Sequence, residues 1–570
     1  MTVGQRLFAL AGAVCVIVSG MLACSSEGTI ISDASAGGAT DAAGNMDVGA
    51  ALDAGTDATT SDTGVDANAD TSPSAPPSLL TLAVSALSDA GSSSPLTLSP
   101  DFSPDIHDYS VRCAAGGAEL TVAMTASNGA TSLLLQPVTS PSLSTQTLSV
   151  SVTENQAVVA AATNGAATVE YWVRCLPHDF PELQWSPHPE AGAVTPGYYL
   201  VGTDEPTTSG CYAMVLDPNG VPVWYSAAQP AFGWCVFDVD SVVPGTVSFD
   251  SVNDYPAQFE VHALSPPVTT RIVPAGLLNV DLHELLLLAN GDYLVVSSPL
   301  QQNVDVNGMQ VLQLDGGLQT VTGSQPIMAC NLIELAPDGT VVWTWSATDH
   351  FDVQADSIVP QFLPFGPTAA LVIDPIHCNS IDVEPSTGNL LVSARQLNSI
   401  FLIEKSTGNV LWKMGGASAT KDDAAYIPVA DPFVQQHDAR FQPDWSPGVD
   451  GGGGGHISLF DDQTDETAPA RAVVYDVTFG TSDTPGAATV SWQRAGSGPS
   501  LAMGSFRILP DGSRIIGWGD IPGAGFTEVD VNGNDLADLT FPDGNTTYRA
   551  LKVPLGAFDL QALRTSAGLP

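Results

Sequence analysis

The feature that most restricts this chain is a phrase that keeps returning: a tight turn, then a short apolar strand carrying an aromatic. Asp217-Pro-Asn-Gly220 precedes Val223-Trp224, Pro337-Asp-Gly339 precedes Val341-Val-Trp343, and Ser406-Thr-Gly408 precedes Val410-Leu-Trp412. Asn290-Gly-Asp-Tyr293, Ser386-Thr-Gly388-Asn-Leu-Leu391 and Pro510-Asp-Gly512 repeat it at intervals of about forty to sixty residues. Such turns close hairpins between half-buried strands, and the stretches between them lack helical periodicity. One hairpin unit cannot bury its own strand faces, so repeated units must stack, and ring closure leaves only short, protected sheet edges. The repeats therefore predict a β-propeller over 181–570, with a length that fits six blades. Its recurring tryptophans are expected in blade cores.

Upstream, 79–176 contains short alternating segments such as Leu120-Thr-Val-Ala-Met124, Leu148-Ser-Val-Ser-Val152 and Val169-Glu-Tyr-Trp-Val173, separated by Gly, Ser, Asn and Pro. This pattern predicts a β-sandwich, which makes the whole chain all-β. Pro100-Asp-Phe102-Ser-Pro104 followed by Tyr109-Ser-Val111 resembles the cadherin-like sandwiches of bacterial surface proteins. Residues 24–78 are Asp, Ala, Gly, Thr and Ser with a proline-rich end. They cannot bury enough apolar area to offset ordering entropy, so they read as a disordered acidic tether.

The first 23 residues read as an export signal: Arg6, an apolar run from Leu7 to Val18, then small residues before Cys24. Met21-Leu22-Ala23-Cys24 resembles a bacterial lipobox, which implies lipidation of Cys24 and an exported lipoprotein held at a membrane by that anchor. Six cysteines beyond it point to disulfides in an oxidising compartment. Cys113 is expected to pair with Cys175, because Tyr109-Ser-Val-Arg-Cys113 and Tyr171-Trp-Val-Arg-Cys175 look like equivalent strand ends. Cys211 with Cys235 and Cys330 with Cys378 then remain. No Cys or His spacing along the chain has the form of a zinc site, and no metal or cofactor is expected.

The chain holds only sixteen Lys plus Arg and nine His in 570 residues, for a formal charge of −45, which argues against nucleic acid as a partner. Against that background four segments stand out: His283-Glu284, His377-Cys378-Asn379, Ser393-Ala394-Arg395, and Gln435-Gln436-His437-Asp438-Ala439-Arg440. Propeller blades bring their inner strand ends to one axis, so residues far apart in sequence can meet there. Alternation places His377 and Asn379 on one face and Cys378 on the other. His107, His178, His188, His262 and His350 are expected to be ordinary hydrogen-bonded histidines, and Arg440 a structural brace.

His377-x-Asn379, Gly388-Asn-Leu-Leu-Val-Ser-x-Arg395, Thr407-Gly-x-Val-Leu-Trp412, Gly415-Gly416, Gln436-His437-Asp438-Ala439-Arg440 and Ile457-Ser-Leu-Phe-Asp461 together resemble the arylsulfate sulfotransferase family. The resemblance runs from roughly Pro181 to Leu555. It implies a six-bladed propeller that moves a sulfuryl group from an aryl sulfate to a phenolic acceptor without a nucleotide. It also implies His437 as the nucleophile carrying a sulfohistidine, with His283, His377, Asn379 and Arg395 binding sulfuryl oxygens and handling the phenolic proton.

Elementary chemistry agrees. Neutral imidazole is a nucleophile near pH 7, and a covalent intermediate splits one hard displacement into two. A loose transition state spreads charge over peripheral oxygens, where one cation at about 4 Å offers on the order of 4 kcal/mol at an effective dielectric near 20. Glu284 is the discordant residue, a carboxylate beside an anion-binding histidine. The glycine run Gly451 to Gly455 reads as a flexible loop, a gate or a spacer. Two other classes compete: a catalytically silent binding propeller, and a quinone-dependent oxidoreductase, which lacks its tryptophan-docking repeat here. Tyr198, Tyr199, Trp234 and Phe365 are candidates to stack on an aryl ring or to fill cores.

Overall fold

The computed structural model describes residues 76–569, apart from 88–92, 205–207, 231–233, 252–257, 276–279, 367–368, 419, 450–451, 465–467 and 481–485. The export signal, Cys24 and nearly all of the acidic tether lie outside the described residues.

Two four-stranded sheets form the sandwich. One pairs Leu79–Leu87 with Ser93–Leu96 and Ala118–Ala126, which in turn pairs with Thr145–Val152. The other runs Asp108–Arg112, Thr168–Leu176, Ala157–Thr163, Thr131–Gln136. The alternating residues named above meet between them: Leu120, Val122, Met124, Val150, Val158, Tyr171 and Val173 are all buried. Asp108–Arg112 and Thr168–Leu176 are parallel neighbours, which sets Cys113 beside Cys175, and that disulfide is formed. The pairs Cys211–Cys235 and Cys330–Cys378 are formed as well.

Six sheets then follow as a propeller. Blade 2 is Phe237–Asp240, Thr246–Asp250, Phe259–Leu264 and Pro267–Ile272, and blade 3 is Leu285–Leu287, Tyr293–Ser297, Asn331–Leu335 and Val341–Ser346. Blade 4 begins Cys378–Val383, Leu390–Ala394, Ser399–Ile403 and Val410–Met414; blade 5 is His437–Phe441, Gly452–Asp461, Arg471–Thr478 and Ala487–Ala495. Blade 6 is Ser505–Ile508, Arg514–Gly517, Ala524–Val529 and Asp535–Thr540. Blade 1 is composite: Gly197–Gly202, Cys211–Leu216 and Pro222–Ala228 take their first strand from the far end of the chain, Ala550–Pro554. The reverse exchange occurs on blade 6, whose outer edge is capped by Gln184–Pro187.

The turn tryptophans serve packing. Trp224 and Trp412 are buried, and in the Val341–Ser346 strand it is Trp345 rather than Trp343 that is covered, donating its indole N–H to the Gly408 carbonyl at 2.8 Å. Each such side chain contributes roughly 1.5–3 kcal/mol on burial. A six-stranded insert, Leu300–Asp305 to Ala370–Asp374, interrupts the blade 3 and blade 4 region, and the turn pattern did not announce it. Of the glycine run, Gly452–Gly455 open a strand, with Gly454 opposite Thr478 and Gly455 opposite Val477, and Gly453, Gly454 and Gly455 at positive φ. A Cβ on Gly454 would stand 2.1 Å from the Val477 carbonyl, so glycine here permits close strand pairing.

Candidate active site

The first strands of the blades are where chemistry gathers, and those of blades 2, 4 and 5 carry a distortion in or directly before the strand. Asp238, His377 and Asp438 have φ of +49°, +55° and +55°, in a region non-glycine residues rarely occupy. At each, strand register slips: between Phe237 and Asp240, between Cys378 and Ser380, and between His437 and Arg440. A bulge of this kind re-aims side chains, here at the central axis.

Three imidazoles converge. The His283 and His377 rings meet edge-on with centroids 4.8 Å apart, and His437 lies 6.4 Å from His283. One nitrogen of each lies within 4.8 Å of the others. Sequence spacing pointed to no metal set, yet the fold gathers a potential ligand trio from three blades. Each Nδ1 faces a carboxylate: His283 that of Asp281, His377 that of Asp374 at 2.5 Å, and His437 that of Asp462 at 2.9 Å. The last contact has ion-pair distance but lies outside good hydrogen-bond alignment. Asp374 ends the insert, which explains why that segment sits where it does.

Burial, then the neighbouring Arg395, His283 and His377, hold His437 well below the ordinary imidazole range. His377 is lowered as well, by burial above all, with Asp374 opposing. Burial favours the neutral form of Asp462, with Arg395 acting the other way. Against burial, the charge of His283 holds Asp281 down at about 2.

Arg395 opens a 3-10 turn, Arg395–Leu397, after the second strand of blade 4 and is buried. Its Nη2 donates to the Leu501 carbonyl at 2.8 Å, and its backbone N–H to the His377 carbonyl at 2.8 Å. Asn379 is fully buried; its amide nitrogen donates to the Gln436 carbonyl at 2.7 Å and so braces the residue before His437. Gln436 in turn donates to Ser393 Oγ and to the Ser399 carbonyl, both at 2.9 Å.

Beneath the imidazoles lies an ionic hub that explains Glu284. Its carboxylate is turned inward, 2.6 Å from Arg440 Nη2 and 3.0 Å from Arg549 Nη2, and Arg549 reaches on to Asp238 at 2.6 Å. Asp438 accepts from Arg440 at 2.8 Å and from Arg507 at 2.7 Å. Although burial opposes it, Arg440 and Arg549 keep Glu284 below the usual carboxylate range. Arg440 is thus a brace, and the carboxylate that looked hostile to an anion is neutralised. Tyr548 caps the hub, donating to the His283 carbonyl at 3.0 Å.

Of the four aromatics considered, Tyr198 and Tyr199 fill the blade 1 core, and Phe365 ends an insert strand. Trp234 is only partly buried; it stacks on Phe237, which contacts Tyr548, which contacts His283. The remaining histidines are paired elsewhere: His178 with Glu154, His188 with Asp538, His262 with Glu260, and His350 with Asp422, while His107 edges Tyr171. His456 is ion-paired with Asp444 in the second strand of blade 5.

Residues absent from the sequence expectation are Asp374, Asp462, Asp238 and Arg507. Asp374 carried a readable signal, an acid three residues before its histidine. Asp462 did not, since only strand pairing of His437 with Phe460 brings it near.

Residues 281–541 match a family model described as arylsulfotransferase (ASST), a span that holds His283, His377, Asn379, Arg395, His437 and Asp462. This supports an arylsulfotransferase relationship for that part of the chain. No curated protein matches the sequence. Among solved structures, apo AztD from Citrobacter koseri is 8% identical over 63% of this chain and 99% of its own, with a TM-score of 0.31. TolB from Acinetobacter baumannii is 8% identical over 71% and 80%, with a TM-score of 0.31. A quinonprotein alcohol dehydrogenase-like protein from Bacteroides thetaiotaomicron is 10% identical over 78% and 96%, with a TM-score of 0.29.

Proposed function

We propose that the chain is an exported sulfotransferase that moves a sulfuryl group from an aryl sulfate to a phenol, with His437 as the nucleophile. The observation that carries this reading is a buried imidazole favoured in its neutral form, set among Arg395, His283 and His377 within the segment that matches the arylsulfotransferase family.

In the first half-reaction the Nε2 lone pair of His437 forms a bond to sulfur as the sulfur–aryl oxygen bond breaks. A small ring rotation aligns Nδ1–H with Asp462, which then accepts that hydrogen bond and orients the ring. The phenolate leaves with a proton from His283 or His377. In the second half, that histidine takes the proton of the incoming phenol, the phenol oxygen attacks sulfur, and the nitrogen–sulfur bond breaks. Arg395 offsets charge on the peripheral sulfuryl oxygens.

The three disulfides suit an oxidising compartment, which fits export and a lipid anchor at Cys24. The acidic tether then holds the catalytic unit away from the membrane. Among the described residues no helix is long and apolar enough to cross one.

The test is phenol-dependent release of nitrophenolate from a nitrophenyl sulfate without nucleotide. The wild-type chain should turn over, and folded His437→Asn should lose transfer by at least a thousandfold. Equal rates in both would remove His437 from the role; no release with any donor by the wild type would favour a binding propeller.

A further inference from the structure

The imidazole trio has a second chemical meaning. When Nδ1–H of a histidine points at a carboxylate, its Nε2 is left with a lone pair. Histidines that ligate metals almost always have such a partner on the far nitrogen, which fixes both tautomer and ring orientation. Here the arrangement occurs twice as a hydrogen bond, Asp281 behind His283 and Asp374 behind His377, and a third time by distance alone, with Asp462 2.9 Å from His437 Nδ1; one nitrogen of each ring lies within 4.8 Å of the others.

We propose that His283, His377 and His437 form a tris-imidazole site for one divalent transition-metal ion of the zinc class, with the fourth position open to water. Tetrahedral zinc at about 2.0–2.1 Å from each nitrogen needs those nitrogens roughly 3.4 Å apart, so the widest pair closes by about 1.4 Å. Side-chain rotation supplies that movement, since the three rings come from separate blades and none is covalently tied to another. Arg395 acts on the same rings and opposes a cation. The carboxylates of Asp281 and Asp374 directly behind two of the rings act the other way. All-nitrogen ligation selects zinc, copper, nickel or cobalt over magnesium and calcium, which prefer oxygen.

A consequence for transfer rests on the sulfotransferase reading. The metal would occupy the His437 lone pair that attacks sulfur, so zinc would inhibit competitively with the sulfate donor.

The experiment is titration of the chelator-treated chain with Co2+ in a large excess of Mg2+, which saturates the carboxylates of a chain with formal charge −45. The expected result is one Co2+ per chain with the intense visible absorption of a four-coordinate ion. That absorption should be lost in His283→Ala and in His377→Ala, and kept in His350→Ala, whose histidine pairs with Asp422. X-ray absorption of the zinc-loaded wild type should show three imidazoles, which keeps the test independent of how the variants fold. Weak six-coordinate absorption, displacement by Mg2+, or fewer than two imidazoles would overturn the site. Binding without any sulfuryl transfer would retain the metal site and defeat the enzyme reading; transfer without binding would do the reverse.

Discussion

At the scale of single residues, protonation decides what the site can do. His377 and His437 are both held below the ordinary imidazole value of 6.5, chiefly by burial. Below that pH an unfolded chain binds protons at these two positions that the folded chain refuses. Their contribution to stability is therefore complete above about pH 6.5 and is lost as pH falls below it. Urea unfolding at pH 7.5 and pH 5.5 should show a lower midpoint at the acid value, and replacing both by Gln should shrink the difference. The transfer rate should follow the same logic without an inflection near 6.5, because the nucleophile stays neutral well into the acid range. The three histidines were legible in the sequence because basic residues are so scarce here. Their carboxylates were less so: Asp281 and Asp374 precede their partners by two and three residues, whereas Asp462 joins His437 across paired strands.

At the scale of elements, the turns were the readable part. Asp, Asn and Gly act within four residues, so Asp217 to Gly220 or Ser406 to Gly408 announce hairpins without reference to the rest of the chain. The bulges at Asp238, His377 and Asp438 were not readable, since Asp and His tolerate the left-handed region better than most residues but do not by themselves mark where it occurs. The Gly415-Gly416 pair illustrates how one element positions another. Gly416 has φ of +61°, and a Cβ there would stand 2.1 Å from the carbonyl of Leu397, in the very turn that carries Arg395. Gly416→Ala should cost about 1–3 kcal/mol and displace that turn. Thermal unfolding should report the first effect, and a raised KM for the sulfate donor the second.

At the scale of the whole molecule, the all-β class and the succession of sandwich and propeller followed from pattern, but ring closure did not. Gln184–Pro187 pairs with Asp535–Thr540 and Gly197–Gly202 with Ala550–Pro554, partners that no local signal links. The C-terminal helix Leu560–Ser566 adds a third tie: both oxygens of Asp108 in the sandwich accept from Arg564, at 2.8 and 2.7 Å. Arg564→Ala should weaken that tie by about 1.5–3 kcal/mol. Calorimetry should then resolve an earlier sandwich transition, with sulfuryl transfer at 25 °C unchanged. The closing strand also fixes a moment in the life of the chain. Arg549, which neutralises Glu284 and Asp238, and the strand directly after it leave the ribosome or a translocation pore after the strands of the other blades. Until they arrive, the ring is open, Asp238 lacks Arg549 and Glu284 is held by Arg440 without its second guanidinium. A chain whose closing strand is still in transit therefore lacks the complete ionic hub beneath the imidazole trio, and the ring closes only once that strand has been delivered.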